Sequence, residues 1–256
     1  MKPVKPLPEG ITMRHHPHSA NRQDSGEGPV ALTDLARLRQ GAYRLFSQSL
    51  RYPDEGRQET MATVAGELRG QGQVWASFPF FLEWDSFLQS LEEIGDRDPV
   101  SIQGEYVFSF LTNPSGVPCP IYESAYLGDD PSAAGWLLVR LESEYAKMGL
   151  STVRTVQEAP DHVAVELEFM AFLCQREAEA WEENDLPQAL QECRRQSDFL
   201  RKHLVWWVPE YARRLAALDQ LSVFAAASRA LWAFLVYDGD ILDALHQRFE
   251  GVAEVP

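Results

Sequence analysis

Asp161 and His162 stand side by side just after Pro160, in the run Glu158-Ala159-Pro160-Asp161-His162. An acid next to an imidazole can bind a metal, move a proton, or accept a guanidinium hydrogen bond while the ring orients it. A plainer duty is also open. Proline suits a first helical turn, and a carboxylate there opposes the positive end of the helix dipole. The spacing predicts both side chains in that first turn and partly accessible. Farther along, Glu166 and Glu168 fall between two apolar stripes, so each must be paired, lie at a groove edge or shift its pKa. His15, His16 and His18 form a local cluster with no further ligand-type group nearby. Asp129-Asp130 resembles half of an acidic metal motif, but before Pro131 it reads as a solvated helix entry.

Templates for catalysis are missing. The chain holds no G-x-x-x-x-G-K-[ST] loop, no G-x-G-x-x-G, no G-x-S-x-G elbow, no H-E-x-x-H pair and no repeated E-x-x-H. The residues therefore support no enzyme, no metal site and no cofactor. Lys plus Arg number 23 against 38 Asp plus Glu, a net charge of −15, which leaves no phosphate-neutralising face for nucleic acid. Cys119, Cys174 and Cys193 are odd in number and far apart, which argues against a disulfide framework or structural zinc. No apolar signal segment opens the chain, and the run Leu231–Val236 is too short for a bilayer. The expectation is a cytoplasmic protein without membrane insertion.

The elements that must position these residues are helical. Residues 1–29, with five prolines and three histidines, predict a disordered tail, and residues 30–256 one helical domain. Leu32, Leu35, Leu38, Ala42, Leu45 and Phe46 recur at helical spacing and stop before Pro53. Further helices are predicted around 55–69, 79–94, 100–112, 132–148, 160–184, 187–206, 209–218 and 222–247. The fold class is all-α, a single compact domain of about nine helices. In the helix after Pro160, Val163, Leu167, Met170 and Cys174 mark one stripe, and Val165, Phe169 and Phe172 another. Apolar on two sides, it should be central, then become a solvated acidic face from Glu177 to Asp185. Residues 113–131 stand apart as a long loop with four prolines, Tyr122 and Tyr126. Its aromatic content argues for function, or for tyrosines that pin it to the core.

Several segments carry a family likeness. Glu105-Tyr106…Phe110 and Pro118-Cys119-Pro120-Ile121-Tyr122-Glu123-Ser124-Ala125-Tyr126 resemble the E-Y…F and P-P-Y-E-S-x-Y region of the TorD/DmsD/NarJ chaperones, which mature molybdenum redox enzymes. Tyr145, Gly149-Leu150, Glu158-Ala159-Pro160-Asp161-His162 and Glu166-Leu167-Glu168-Phe169-Met170 are similar to the stretch that follows. Phe199-Leu200…His203-Leu204…Trp207-Val208-Pro209 resembles the F-L-x-x-H-L-x-x-W-x-P segment. The matches run in family order over roughly 105–210. Ile121 replaces a frequent second proline, a departure that would loosen the loop, and residues 1–29 have no counterpart.

The resemblance implies a system-specific chaperone. Its partner would be the apo catalytic subunit of a molybdopterin oxidoreductase, together with that subunit's twin-arginine leader, held back from export until the cofactor is in place. The wording of Glu166–Met170 leans toward the branch serving nitrate-reductase-like multi-subunit enzymes. Leader binding would fall to Tyr122, Glu123, Ser124 and Tyr126 in the loop and to Asp161, His162 and Glu166. These would form an acidic rim beside an apolar groove. Trp207 should pack internally. Rival readings are a helical scaffold or regulator and a metal-dependent helical phosphohydrolase; the oligomeric state stays open.

Overall fold

A computed structural model describes residues 32–70, 72–112, 116–128, 131–151, 159–218 and 222–249. The predicted tail, the histidine cluster within it, Asp129-Asp130 and Glu158 lie outside the described residues. In chain order the helices are α1 (Leu32–Ser49), α2 (Glu55–Gly70), the single turn α3 (Gly72–Trp75), α4 (Phe81–Ile94), α5 (Pro99–Tyr106), α6 (Pro131–Lys147), α7 (Val163–Glu182), α8 (Leu186–Phe199), α9 (Val208–Leu218) and α10 (Val223–Phe249). Helix α5 runs on into a π-helical turn, Val107–Leu111, and α8 into another, Leu200–Leu204. Among the described residues there is no strand.

Local chemistry sets the ends. Asp98 caps α5 by accepting from the Val100 amide at 3.4 Å, with Pro99 in the first turn. Asp185 caps α8 by accepting from the Gln188 amide at 3.0 Å. Helix α6 stops at Gly149, whose φ of 73° suits a residue without Cβ, and the Leu150 amide closes back onto the Tyr145 carbonyl at 3.0 Å.

Helix α7 is the axis of the domain. Helix α1 lies along one side of it and α8 along another, while α10 packs on α4, α8 and α9. Val163, Leu167, Met170 and Cys174 are buried, and so are Val165 and Phe169 on the opposite stripe. Two stripes need two covering layers, which α1 and α8 supply. The far end of the core is aromatic: Phe46 stacks on Phe87 at 5.2 Å, and Trp84 sits 4.6 Å from Trp75.

One buried polar knot joins four of these helices. Arg39 of α1 pairs with Asp238 of α10, with Glu177 of α7 at 2.7 Å and with Gln196 of α8 at 2.6 Å. Tyr43 donates to the same Asp238 at 2.6 Å. Burial opposes the Arg39 charge, but Asp238 and Glu177 outweigh it and raise its pKa. Glu177, expected on a solvated face, is therefore an interior residue. Its carboxylate is needed to balance a guanidinium with no access to water.

Candidate functional site

The long loop and the entry to α7 are one unit. The Glu123 amide donates to the Asp161 carbonyl at 2.9 Å and the Val163 amide to the Ile121 carbonyl at 3.1 Å, pairing Tyr122 with His162 as an isolated antiparallel bridge. Pairing requires extended backbone at His162, with φ −70° and ψ 132°, so the helix cannot begin at Pro160. It begins at Val163. His162 is the cap, its Nδ1 accepting from the Ala164 amide at 3.1 Å, and its ring meets Tyr122 edge-on at 5.1 Å.

Asp161 consequently does not cap its own helix. Its Oδ2 accepts from the Ser124 amide at 3.1 Å and caps the 3₁₀ turn Glu123–Tyr126 across the bridge. Both residues are 2% exposed, so the partly accessible first turn expected from sequence is corrected to a buried junction. Burial, with Arg51 nearby, depresses the His162 pKa to about 3 and keeps the ring neutral. Ile121 does not loosen the loop. It is fully buried and its carbonyl holds α7. Tyr126 closes the loop by donating to the Pro120 carbonyl at 2.9 Å, with Arg214 stacked 4.9 Å above its ring. Burial pushes the Cys119 thiol beneath it to about 12.

Behind this junction lies a chain of buried acids. Glu123 is 1% exposed; its Oε2 sits 3.0 Å from His203 Nδ1, and its Oε1 accepts from the Trp206 indole at 2.8 Å. His203 Nε2 faces Glu144 Oε1 at 3.6 Å. Burial works against charge on His203, but Glu123 and Glu144 prevail and raise its pKa. The imidazole in turn holds Glu144 below the ordinary range. Glu166 is fully buried, with the Glu123 carboxyl and the Trp207 indole as its hydrogen-bonding neighbours. Burial first, then Glu123 and Asp161, raises its pKa well above the usual carboxylate value. Tyr145 roofs the group, donating to the Pro160 carbonyl at 2.9 Å.

Of the seven residues singled out from sequence, all meet at this junction. Tyr122, Ser124 and Tyr126 are half-buried on its outer side, and Glu123, Asp161, His162 and Glu166 lie beneath. The acidic rim is thus an acidic interior. Sequence reading missed His203, Glu144 and Trp206. His203 stood within a matched segment, and four-residue spacing from Trp207 was the available sign that both face inward. Among the described residues no group of three or more His, Cys, Asp or Glu is arranged to hold a metal ion.

The same residues fall inside a family match. The model described as nitrate reductase delta subunit matches residues 79–213, more than half of the chain, including the turn, the Asp161–Glu166 segment and His203–Trp207. The chain belongs to this family. The family is the TorD/NarJ group that its motifs resemble. Among curated relatives, a TorD chaperone of Vibrio cholerae serotype O1 (strain M66-2) is 28% identical over 162 residues, covering 62% of this chain and 71% of the relative. A selenate reductase assembly chaperone of Thauera selenatis is 30% identical over 162 residues, 62% of this chain and 77% of the relative. A perchlorate reductase assembly chaperone of Dechloromonas aromatica is 28% identical over 188 residues, 72% and 80% of the two chains. A solved structure described as a redox enzyme maturation protein of Archaeoglobus fulgidus superposes with a TM-score of 0.50 at 24% identity. It covers 84% of this chain and 99% of its own, and so shares the fold.

Proposed function

We propose that this chain is a cytoplasmic assembly chaperone for the catalytic subunit of a molybdopterin oxidoreductase. It binds the apo subunit and its twin-arginine leader and delays export until the cofactor is inserted. The reading rests above all on one observation: the family match over residues 79–213 spans the junction of loop and α7, and relatives of the chain include reductase assembly chaperones. A family model described as nitrate reductase delta subunit, with relatives named for selenate and perchlorate reductase assembly, favours a client of the nitrate-reductase-like branch. The protein acts by binding, and no bond is made or broken at the site.

The site residues divide the work. Tyr122, Ser124 and Tyr126 offer a half-buried outer surface that an apolar leader segment can cover. Glu123, Asp161, His162 and Glu166 hold that surface in shape from beneath. No helix among the described residues is long and apolar enough to cross a membrane.

The test uses the full chain and the molybdopterin oxidoreductase catalytic subunits encoded in the same genome. Titration calorimetry against the synthetic leader, together with co-purification of the apo subunit, is expected to show a specific complex lost on cofactor loading. Absence of binding to both leader and apo subunit would refute the reading and leave the scaffold alternative.

A further inference from the structure

Two kinds of contact hold helix α6 to the body. Leu137, Leu141 and Tyr145 make its buried apolar side, and the Tyr145 ring packs 4.8 Å from Phe169. The other contact is ionic. Glu144, the residue before Tyr145, faces His203 Nε2 at 3.6 Å, while Nδ1 of the same ring meets Glu123 at 3.0 Å. One fully buried imidazole thus stands between two carboxylates from different elements, the 3₁₀ turn Glu123–Tyr126 and α6.

Ring chemistry makes this arrangement conditional. An imidazolium carries an N–H on both nitrogens and serves both acids. A neutral ring has one N–H and turns a lone pair toward the other acid. Burial decides which acid is given up. Glu123 is 1% exposed and also accepts from the Trp206 indole at 2.8 Å, so it has no water to turn to. The Glu144 side chain is 23% exposed, stands at the longer distance and has Lys147 and Lys202 nearby.

We propose that His203 is a proton-operated latch on α6: with a proton on both nitrogens it bridges Glu123 and Glu144, and on losing one it keeps Glu123, releases Glu144 and loosens the helix. Tyr145 stays behind as the hinge, since its hydroxyl donates to the Pro160 carbonyl at 2.9 Å. The latch belongs to the fold and requires no client.

The charged surroundings set its working range. The 3₁₀ turn presents Glu123, and α6 presents Glu144 with Lys147. The π-helical turn after α8 presents Lys202, which lies 3.5 Å from Asp198 of α8. Helix α7 contributes Glu166, kept protonated by burial, and α10 contributes Asp243, which is paired with Arg201. Burial opposes charge on His203, but Glu123 and Glu144 raise its pKa above 6.5, and His203 holds Glu144 below 4.5. The His203 contribution is therefore complete below its unfolded pKa and is lost as pH rises through the folded one. The Glu144 contribution is lost only as pH falls through its own lowered value. The latch is closed between those limits and opens on the alkaline side.

The test follows the full chain by NMR across the alkaline range, reading the His203 ring nitrogens for charge and the amides of α1, α6 and α7 for hydrogen exchange. Exchange rates are corrected for their intrinsic dependence on pH. Protection along α6 is expected to fall as His203 titrates, while α1 and α7 hold theirs. Glu144→Gln, a change at a part-exposed side chain, is expected to lower the His203 pKa and to loosen α6 at every pH. The two readouts must agree: α6 protection falls about tenfold for each unit by which Glu144 raises the His203 pKa. Protection of α6 that is unchanged through the His203 titration overturns the latch. So does a fall shared equally by α1 and α7, the same fall persisting in Glu144→Gln, or a ring already neutral at pH 6.

Discussion

Replacing Glu166 by glutamine should make the protein more stable, and increasingly so as pH rises. Glutamine keeps the shape of the side chain and removes the titrating proton. In the folded chain the Glu166 pKa is raised well above the ordinary value near 4.5 by burial and by Glu123 and Asp161. A raised carboxyl pKa means that the folded state holds a proton the unfolded state has already released. Its stabilising contribution is complete below the unfolded pKa and is lost as pH rises toward the folded one. Between those limits the loss is about 1.4 kcal/mol per pH unit. For a domain of this size that is roughly 3–6 °C in melting temperature per unit. Glutamine has no such slope, so the difference between variant and wild type should widen by that amount from pH 5 to pH 6. Urea or thermal unfolding of both proteins at the two pH values measures it, with all other carboxyls cancelling in the difference. A gap that stays constant would show that Glu166 is ionised in the fold and refute the account of the pocket.

Other outcomes follow from the same contacts. Trp207→Ala empties a fully buried site and should cost about 3–5 kcal/mol in urea unfolding. Arg39→Ala leaves Glu177 and Asp238 unbalanced in the interior and should cost about 3–5 kcal/mol, with loss of cooperativity as the sign that four helices were involved. NMR titration should separate two histidines. The His162 ring stays neutral down to about 3, while His203 stays protonated above its usual range. Asp161→Ala removes the acceptor for the Ser124 amide, costing about 1–3 kcal/mol and speeding hydrogen exchange at that amide. Client binding should weaken as salt rises, because part of it is charge attraction screened by ions; affinity flat across the salt series would mean apolar recognition alone.

The helices were legible because each carries its own apolar period. The two stripes of α7 even announced that it would be covered on both sides. What could not be read were the partnerships made across long separations. Arg39 meets Glu177 and Asp238 from distant parts of the chain, and no local pattern marks an arginine as buried. Likewise Glu123 reads as a surface acid in a polar loop until His203 and Trp206 are brought onto it. The start of α7 was misplaced for the same reason. Pro160 is a good opening residue locally, but the bridge to Ile121–Glu123 requires extended backbone there and overrides it. The family motifs therefore pointed to residues that meet at one junction, while their environment, interior rather than rim, came from contacts between them.

The bridge between Tyr122 and His162 also ties a knot at the neck of everything between them. The 3₁₀ turn and α6 leave the body and return through two backbone hydrogen bonds, Glu123 to Asp161 and Val163 to Ile121. Helix α6 in turn leans on that turn and, through Tyr145, on Phe169 and Phe199 of the body. Such a tethered segment detaches in one step, so amides at the neck and along α6 should exchange at a common rate, faster than those of α1 and α7. A protease that enters there would nick the chain without dissolving it. The fragment bearing α1 and the fragment bearing α7 are locked together by the Arg39 knot and by their shared apolar interface. The nicked protein would run as one species until denatured, with its two pieces still recognisably folded around each other.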